Sequence, residues 1–147
     1  MDDLARFRAA QDGVYDGALR ELRAGRKTGH WMWFIFPQLR GLGRSATATR
    51  FGIADLAEAR AYLRDPVLGP RLAACAGALL GHGTATAEDI LGPVDALKLR
   101  SSATLFRAAG DPRTARLMQA LLDRFHGGRP CPLTLAALGD DASGADR

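Results

Sequence analysis

The sequence predicts an all-α fold, a single compact domain of about seven or eight short helices, and three observations carry that prediction. The 147 residues include 27 Ala and 21 Leu but only three Val and three Ile. Ala, Leu and Arg favour helix, whereas sheets draw on β-branched and aromatic side chains. N-cap signals recur at Ser45, Asp55, Asp65 and Asp111, and glycine stops answer them at Gly25, Gly81 and Gly127.

The elements follow in order. Leu4, Phe7, Gln11, Val14, Tyr15, Ala18, Leu19 and Leu22 keep the spacing of one helix face over residues 3–24. Asp12-Gly13 splits that face into two helices, the second ending at Gly25. His30 to Pro37, HWMWFIFP, is dense in aromatics and nearly free of polarity. It reads as a helical turn buried on more than one side and ended by Pro37. This segment is expected to thread the core, with Trp31 or Trp33, Phe34 and Phe36 buried. Gly41-Leu-Gly43 is a turn, Ser45 caps a helix to about Phe51, and Asp55-Leu-Ala-Glu58 has capping-box spacing for a helix to about Arg64. Asp65-Pro66 opens the next helix, with Leu68, Leu72, Cys75, Leu79 and Leu80 inward. Thr86–Leu91 is short and stops at Gly92-Pro93. Leu97, Leu105 and Phe106 belong to an apolar stripe over 94–108, and Asp111-Pro112 starts a helix with Ala115, Met118, Leu121, Leu122 and Phe125 inward. A short turn around 133–138 closes the domain, taken as 1–138, and residues 139–147 read as a flexible tail.

Composition narrows function mostly by exclusion. Charged residues make up 24% and hydrophobic ones 47%, which excludes wholesale disorder. Eighteen of the twenty basic residues are Arg and the net charge is +4, but the basic residues are scattered and form no dedicated nucleic-acid motif. Cys75 and Cys131 make neither a disulfide framework nor a zinc spacing. The start of the chain lacks signal-peptide character and the apolar runs are short, so the expectation is a soluble cytoplasmic protein without membrane contact.

Three stretches, 24–45 (AGRKTGHWMWFIFPQLRGLGRS), 51–72 (FGIADLAEARAYLRDPVLGPRL) and 90–106 (ILGPVDALKLRSSATLF), resemble domain-of-unknown-function family 1810. This is a bacterial family that is sometimes labelled calpastatin-like. The resemblance runs from Leu4 to Gly128 and implies similarity to a mycobacterial all-α superfamily. It implies no activity, cofactor or catalytic residue. The chain departs from the family pattern at Asp65, Ala103 and Cys131, where His, Met and Asp are usual.

Chemistry has two places to live. Arg26, Lys27, His30, Trp31, Trp33 and Gln38 set cations beside indoles, the inventory for an anionic, nucleotide-like ligand, with His30 able to move a proton near neutral pH. A buried hydrophobic strip with Arg26 and Lys27 solvated at its edge explains the same residues. Asp95, Lys98, Arg100, Ser101, Ser102 and Thr104 form the second cluster, in which Lys98, Ser101 and Ser102 share a helix face suited to an oxyanion. An ordinary Asp95–Lys98 ion pair, with the serines bonded to their own helix, explains that cluster as well. No hydrolase signature surrounds either serine. Gly41-Leu-Gly43-Arg44-Ser45 reads as a turn and cap rather than a phosphate loop, and His82 and His126 as ligands of helix-end carbonyls rather than of a metal. Two functional classes therefore stay open. One is a small-molecule protein whose pocket joins Lys27, His30, Trp31, Trp33 and Gln38 to Lys98, Arg100, Ser101 and Ser102 around an anionic ligand. The other is a non-catalytic interaction or structural domain in which these residues build the core. The cofactor is unknown.

Overall fold

The computed structural model describes residues 3–145, the side chains of 140–145 excepted. The helices are α1 (Ala5–Asp12), α2 (Tyr15–Ala24), α3 (Met32–Ile35), α4 (Ala46–Arg50), α5 (Leu56–Arg64), α6 (Leu68–Leu80), α7 (Ala87–Leu91), α8 (Pro93–Ala109), α9 (Pro112–His126) and α10 (Pro132–Ala145). Seven of them span eight residues or more. Among the described residues there is no strand; one isolated parallel bridge joins Leu39 to Ile53.

The predicted caps are in place. Ser45 Oγ accepts from Ala48 N at 3.0 Å, Asp55 Oδ1 from Glu58 N at 2.8 Å, and Asp111 Oδ1 from Thr114 N at 2.8 Å. Asp65 Oδ1 takes the amides of Val67 and Leu68. A full capping box between Thr86 and Asp89 opens α7. Gly25 ends α2 at φ 80°, in the left-handed region that favours glycine. α10 differs from expectation: the turn foreseen at 133–138 is the start of a helix that continues through Gly139 to Ala145. Leu135 to Leu138 are good helix formers that lead into Gly139, whose cost of about 1 kcal/mol does not stop the helix. Residues 146 and 147, the end of the predicted tail, lie outside the described residues.

α8 is the axis of the domain, packed by α5, α7, α9 and α10, while α6 lies against α2, α5 and α9. A chain of aromatic contacts crosses the interior: Phe7 to Tyr62 at 5.3 Å edge-on, and Tyr62 to Phe106 at 5.1 Å. Gln11 is buried among them, its Nε2 donating to Phe34 O at 2.6 Å and to Tyr62 Oη at 3.0 Å. Within the aromatic segment Trp31, Met32, Ile35 and Phe36 are buried, whereas Trp33 and Phe34 are half-buried. Leu105 and Phe106 are inward as predicted; Leu97 is 64% exposed and lies off the core stripe. Leu97 falls on the outer side of α8, roughly 200° around the helix from the buried Leu99.

Candidate functional site

The site begins with the loop that follows Gly25. Glu21, on the last turn of α2, reaches over it: Oε1 accepts from Thr28 N at 2.6 Å, Gly29 N at 2.9 Å and Trp31 Nε1 at 3.0 Å. Burial opposes ionisation of Glu21, but these three donors outweigh it and hold its carboxyl below the usual range. Trp31 is thereby locked as a core residue with its indole N–H satisfied. The backbone of Lys27 donates to Ile90 O at 2.7 Å, which ties the loop to α7.

The pinned loop carries Lys27 to α8. Lys27 Nζ lies 2.9 Å from Asp95 Oδ2, and Lys98 Nζ lies 3.2 Å from Asp95 Oδ1. The three side chains are only 10%, 18% and 16% exposed for Lys27, Lys98 and Asp95. Each lysine also sits over an indole, Lys98 Nζ at 4.0 Å from the Trp33 ring centre and Lys27 Nζ at 5.2 Å from that of Trp31. Lys27 further donates to Gly29 O at 2.6 Å. Beside Lys98 opens a crevice of about 10 Å³, lined by Trp33, Phe36, Gln38, Phe51 and Gly52, with room for one water at most. The two predicted clusters thus meet at Lys98, Trp33 and Gln38.

Other predicted residues stand apart from that meeting point. His30 is exposed, with no hydrogen-bond or ion-pair partner among the described residues. Ser101 is buried and shares a hydrogen bond of 2.8 Å with Thr134 on α10. Ser102, one turn beyond Lys98, is buried with no partner for its Oγ among the described residues. Both serines are on the inner side of α8, while Lys98 is at its rim. Arg100 lies roughly 200° around the helix from Lys98, and its Nε donates to Arg129 O at 2.9 Å. His82 bonds a helix-end carbonyl as foreseen, that of Leu22 on the neighbouring α2, at 2.6 Å.

Four features went unread in the sequence. Glu21 looked like any exposed helical carboxylate, and its role depends on a turn that folds back seven to ten residues later. The Lys27–Asp95 pair joins distant segments and left no local signal. A polar cavity of about 410 Å³ lies between α8 and the end of α9, lined by Arg100, Phe125, His126, Gly127 and Arg129. A further groove of about 530 Å³ between α5, α6 and α9 is mostly apolar, lined by Leu63, Pro70, Leu72, Leu117 and Met118 with Arg113.

With the geometry established, comparison places the chain among known proteins. Residues 1–138 match the model of a family described as protein of unknown function, DUF1810. The crystal structure of Rv1873, a conserved hypothetical protein from Mycobacterium tuberculosis, is similar at a TM-score of 0.90 and 50% identity, covering 93% of this chain and 96% of that one. No curated protein matches.

Proposed function

Because the chain belongs to the DUF1810 family of proteins of unknown function, its role is read from its own side chains, and we propose that it binds a small anionic ligand of nucleotide type at the mouth of the Trp33–Gln38–Lys98 crevice. The observation that carries this reading is a charge imbalance: two largely buried lysines face a single carboxylate, Asp95. Partly buried cations without a full set of counter-charges are costly, and an anion at the mouth completes the pairing. Lys98 meets the anion and the half-buried Trp33 receives the planar part of the ligand. Gln38 offers an amide to orient it, and Lys27 backs Lys98 through their shared Asp95, while His30 stands apart from the crevice. Trp31, Ser101 and Ser102 support the site from behind, and Arg100 serves another face. The role assigned is binding, without a chemical step.

A thermal-shift comparison of AMP with uncharged adenosine tests this directly. AMP at ~100 times its dissociation constant stabilises by about 2.7 kcal/mol, which is roughly 5–10 °C for a chain of this size. Adenosine stabilises far less, and Lys98→Met removes the AMP effect. No saturable AMP shift, or one that survives Lys98→Met, refutes the site. The closure of the same network favours a second reading, a non-catalytic interaction or structural domain. Lys27, Asp95 and Lys98 pair with one another and Ser101 pairs with Thr134, and that reading predicts no response to either compound.

A further inference from the structure

The groove between α5, α6 and α9 joins an apolar floor to a basic rim. Leu63, Leu72, Leu117 and Met118 form the floor, with the exposed Pro70 and Ala73 along one side. Its volume of about 530 Å³ continues past Leu63 and Thr114, which line both parts, into a second hollow of about 310 Å³ that reaches Ala109 and Gly110. Packing fixes the walls. α6 lies against both α5 and α9, and a Cβ on Gly69 would overlap Leu63 O, so α6 starts hard against the end of α5.

Arg60 and Arg64 stand on the α5 side and Arg113 on the α9 side, all three exposed. The side chains of Arg60 and Arg113 have no hydrogen-bond or ion-pair partner among the described residues. Arg64 uses only Nε, on the Arg60 carbonyl of its own helix at 3.4 Å. Against these three guanidinium groups the hollow holds one carboxylate, Asp111. Asp111 already caps α9, with Oδ1 accepting from Thr114 N at 2.8 Å, and its field reaches Arg113. Arginines at the other end of α5 and on α1 are matched: Arg6 by Glu58 and Arg8 by Asp65.

An exposed apolar floor of this extent marks a contact surface, and the rim selects the occupant. Single-stranded nucleic acid binds through stacking faces, and no aromatic ring lines either part among the described residues. A small carboxylic acid is satisfied by one arginine fork within enclosing walls, whereas here the guanidinium groups flank both sides of an open trough. An amphipathic helix meets both features, with apolar side chains at i, i+3, i+4 and i+7 on the floor and carboxylates at its flanks. We propose that this groove docks an acidic amphipathic helix of a partner protein, whose carboxylates pair with Arg60, Arg64 and Arg113. The surface shares no residue with the Lys98 crevice.

The test uses the full chain and a synthetic peptide of about 14 residues, roughly four helical turns, with Leu on one face and Glu on both flanks. Nuclear magnetic resonance of the isotope-labelled chain locates the contact, and fluorescence anisotropy of the labelled peptide gives its affinity. Saturable shifts are expected at Leu63, Thr114, Leu117 and Met118. A peptide with Gln for every Glu binds roughly tenfold more weakly, and the double variant Arg60→Ala/Arg113→Ala weakens the Glu peptide by a similar factor. Both positions are exposed, so the melting temperature stays in place. Ala73→Glu, also at an exposed position, sets a carboxylate beside the floor and weakens binding as well, whereas Lys98→Met leaves it unchanged. A scrambled peptide of the same composition, without an apolar face, does not saturate. Equal binding of the scrambled peptide reduces the contact to charge alone and overturns the proposal. Absence of groove shifts with the Leu–Glu peptide overturns it too, and shifts with oligodeoxythymidylate or decanoate in its place assign a nucleic acid or a fatty acid instead.

Discussion

Replacing Glu21 with Ala tests how the aromatic loop is held. One carboxylate oxygen accepts from Thr28 N, Gly29 N and Trp31 Nε1 at 2.6–3.0 Å. The two amides belong to a loop that water can reach, so their loss costs a fraction of a net hydrogen bond each. The indole N–H belongs to a residue only 2% exposed, and a buried donor without a partner costs about 1–3 kcal/mol. Together the expected loss is about 2–3 kcal/mol, or roughly 5–10 °C in melting temperature for a chain of this size. Differential scanning calorimetry measures it. Glu21→Gln keeps one acceptor oxygen and should retain about half of the stability. A Glu21→Ala melt within about 1 °C of the parent refutes the assignment of Glu21 as the anchor of the loop.

Asp95→Asn leaves Lys27 and Lys98 facing each other. Pairs broken in full burial cost about 3–5 kcal/mol, and with these side chains 10–18% exposed the expected cost is about 1–3 kcal/mol. A double-mutant cycle with Lys98→Met should show coupling, and additive energies would contradict a shared network. Burial pushes the Cys75 thiol up to about 12, so in the native protein at mild alkaline pH a disulfide reagent should titrate one thiol, Cys131; two fast thiols contradict it. Acid should act in two steps. Burial first, then the Arg100 charge, hold His126 below its ordinary value. Its contribution to stability is therefore complete above about pH 6.5 and is lost as pH falls from there to its lower folded value. Glu21, Asp65, Asp89 and Asp111 are held below the usual carboxylate range, mainly by backbone amides that outweigh burial. Their contributions are lost lower down, from about pH 4 through their folded values. Thermal melts across pH check both steps, and His126→Gln should remove only the first.

What could be read from the sequence was what is encoded locally. A cap lies within three residues of the amide it accepts, so Ser45, Asp55 and Asp111 were legible before any tertiary structure. Helix phase was legible as well, but it names a shared face without saying how deep that face lies. Lys98, Ser101 and Ser102 do share one side of α8, yet α10 covers Ser101 while Lys98 stays at the rim. Apolar character alone puts Leu97 in the stripe, yet no neighbouring helix among the described residues covers it. Density of aromatics marked residues 31–36 as core, but which indole is capped depends on Glu21 reaching across a turn. The His126 cavity was invisible because Arg100, His126 and Arg129 converge only once α9 is packed on α8.

The central claim, an anion at the Trp33–Gln38–Lys98 crevice, is tested most directly by a crystal structure of the protein grown with AMP. The account predicts the phosphate within hydrogen-bond reach of Lys98 Nζ and the Gln38 amide, with the base against Trp33. AMP bound elsewhere, with its phosphate away from Lys98 and Trp33 unchanged, would contradict it.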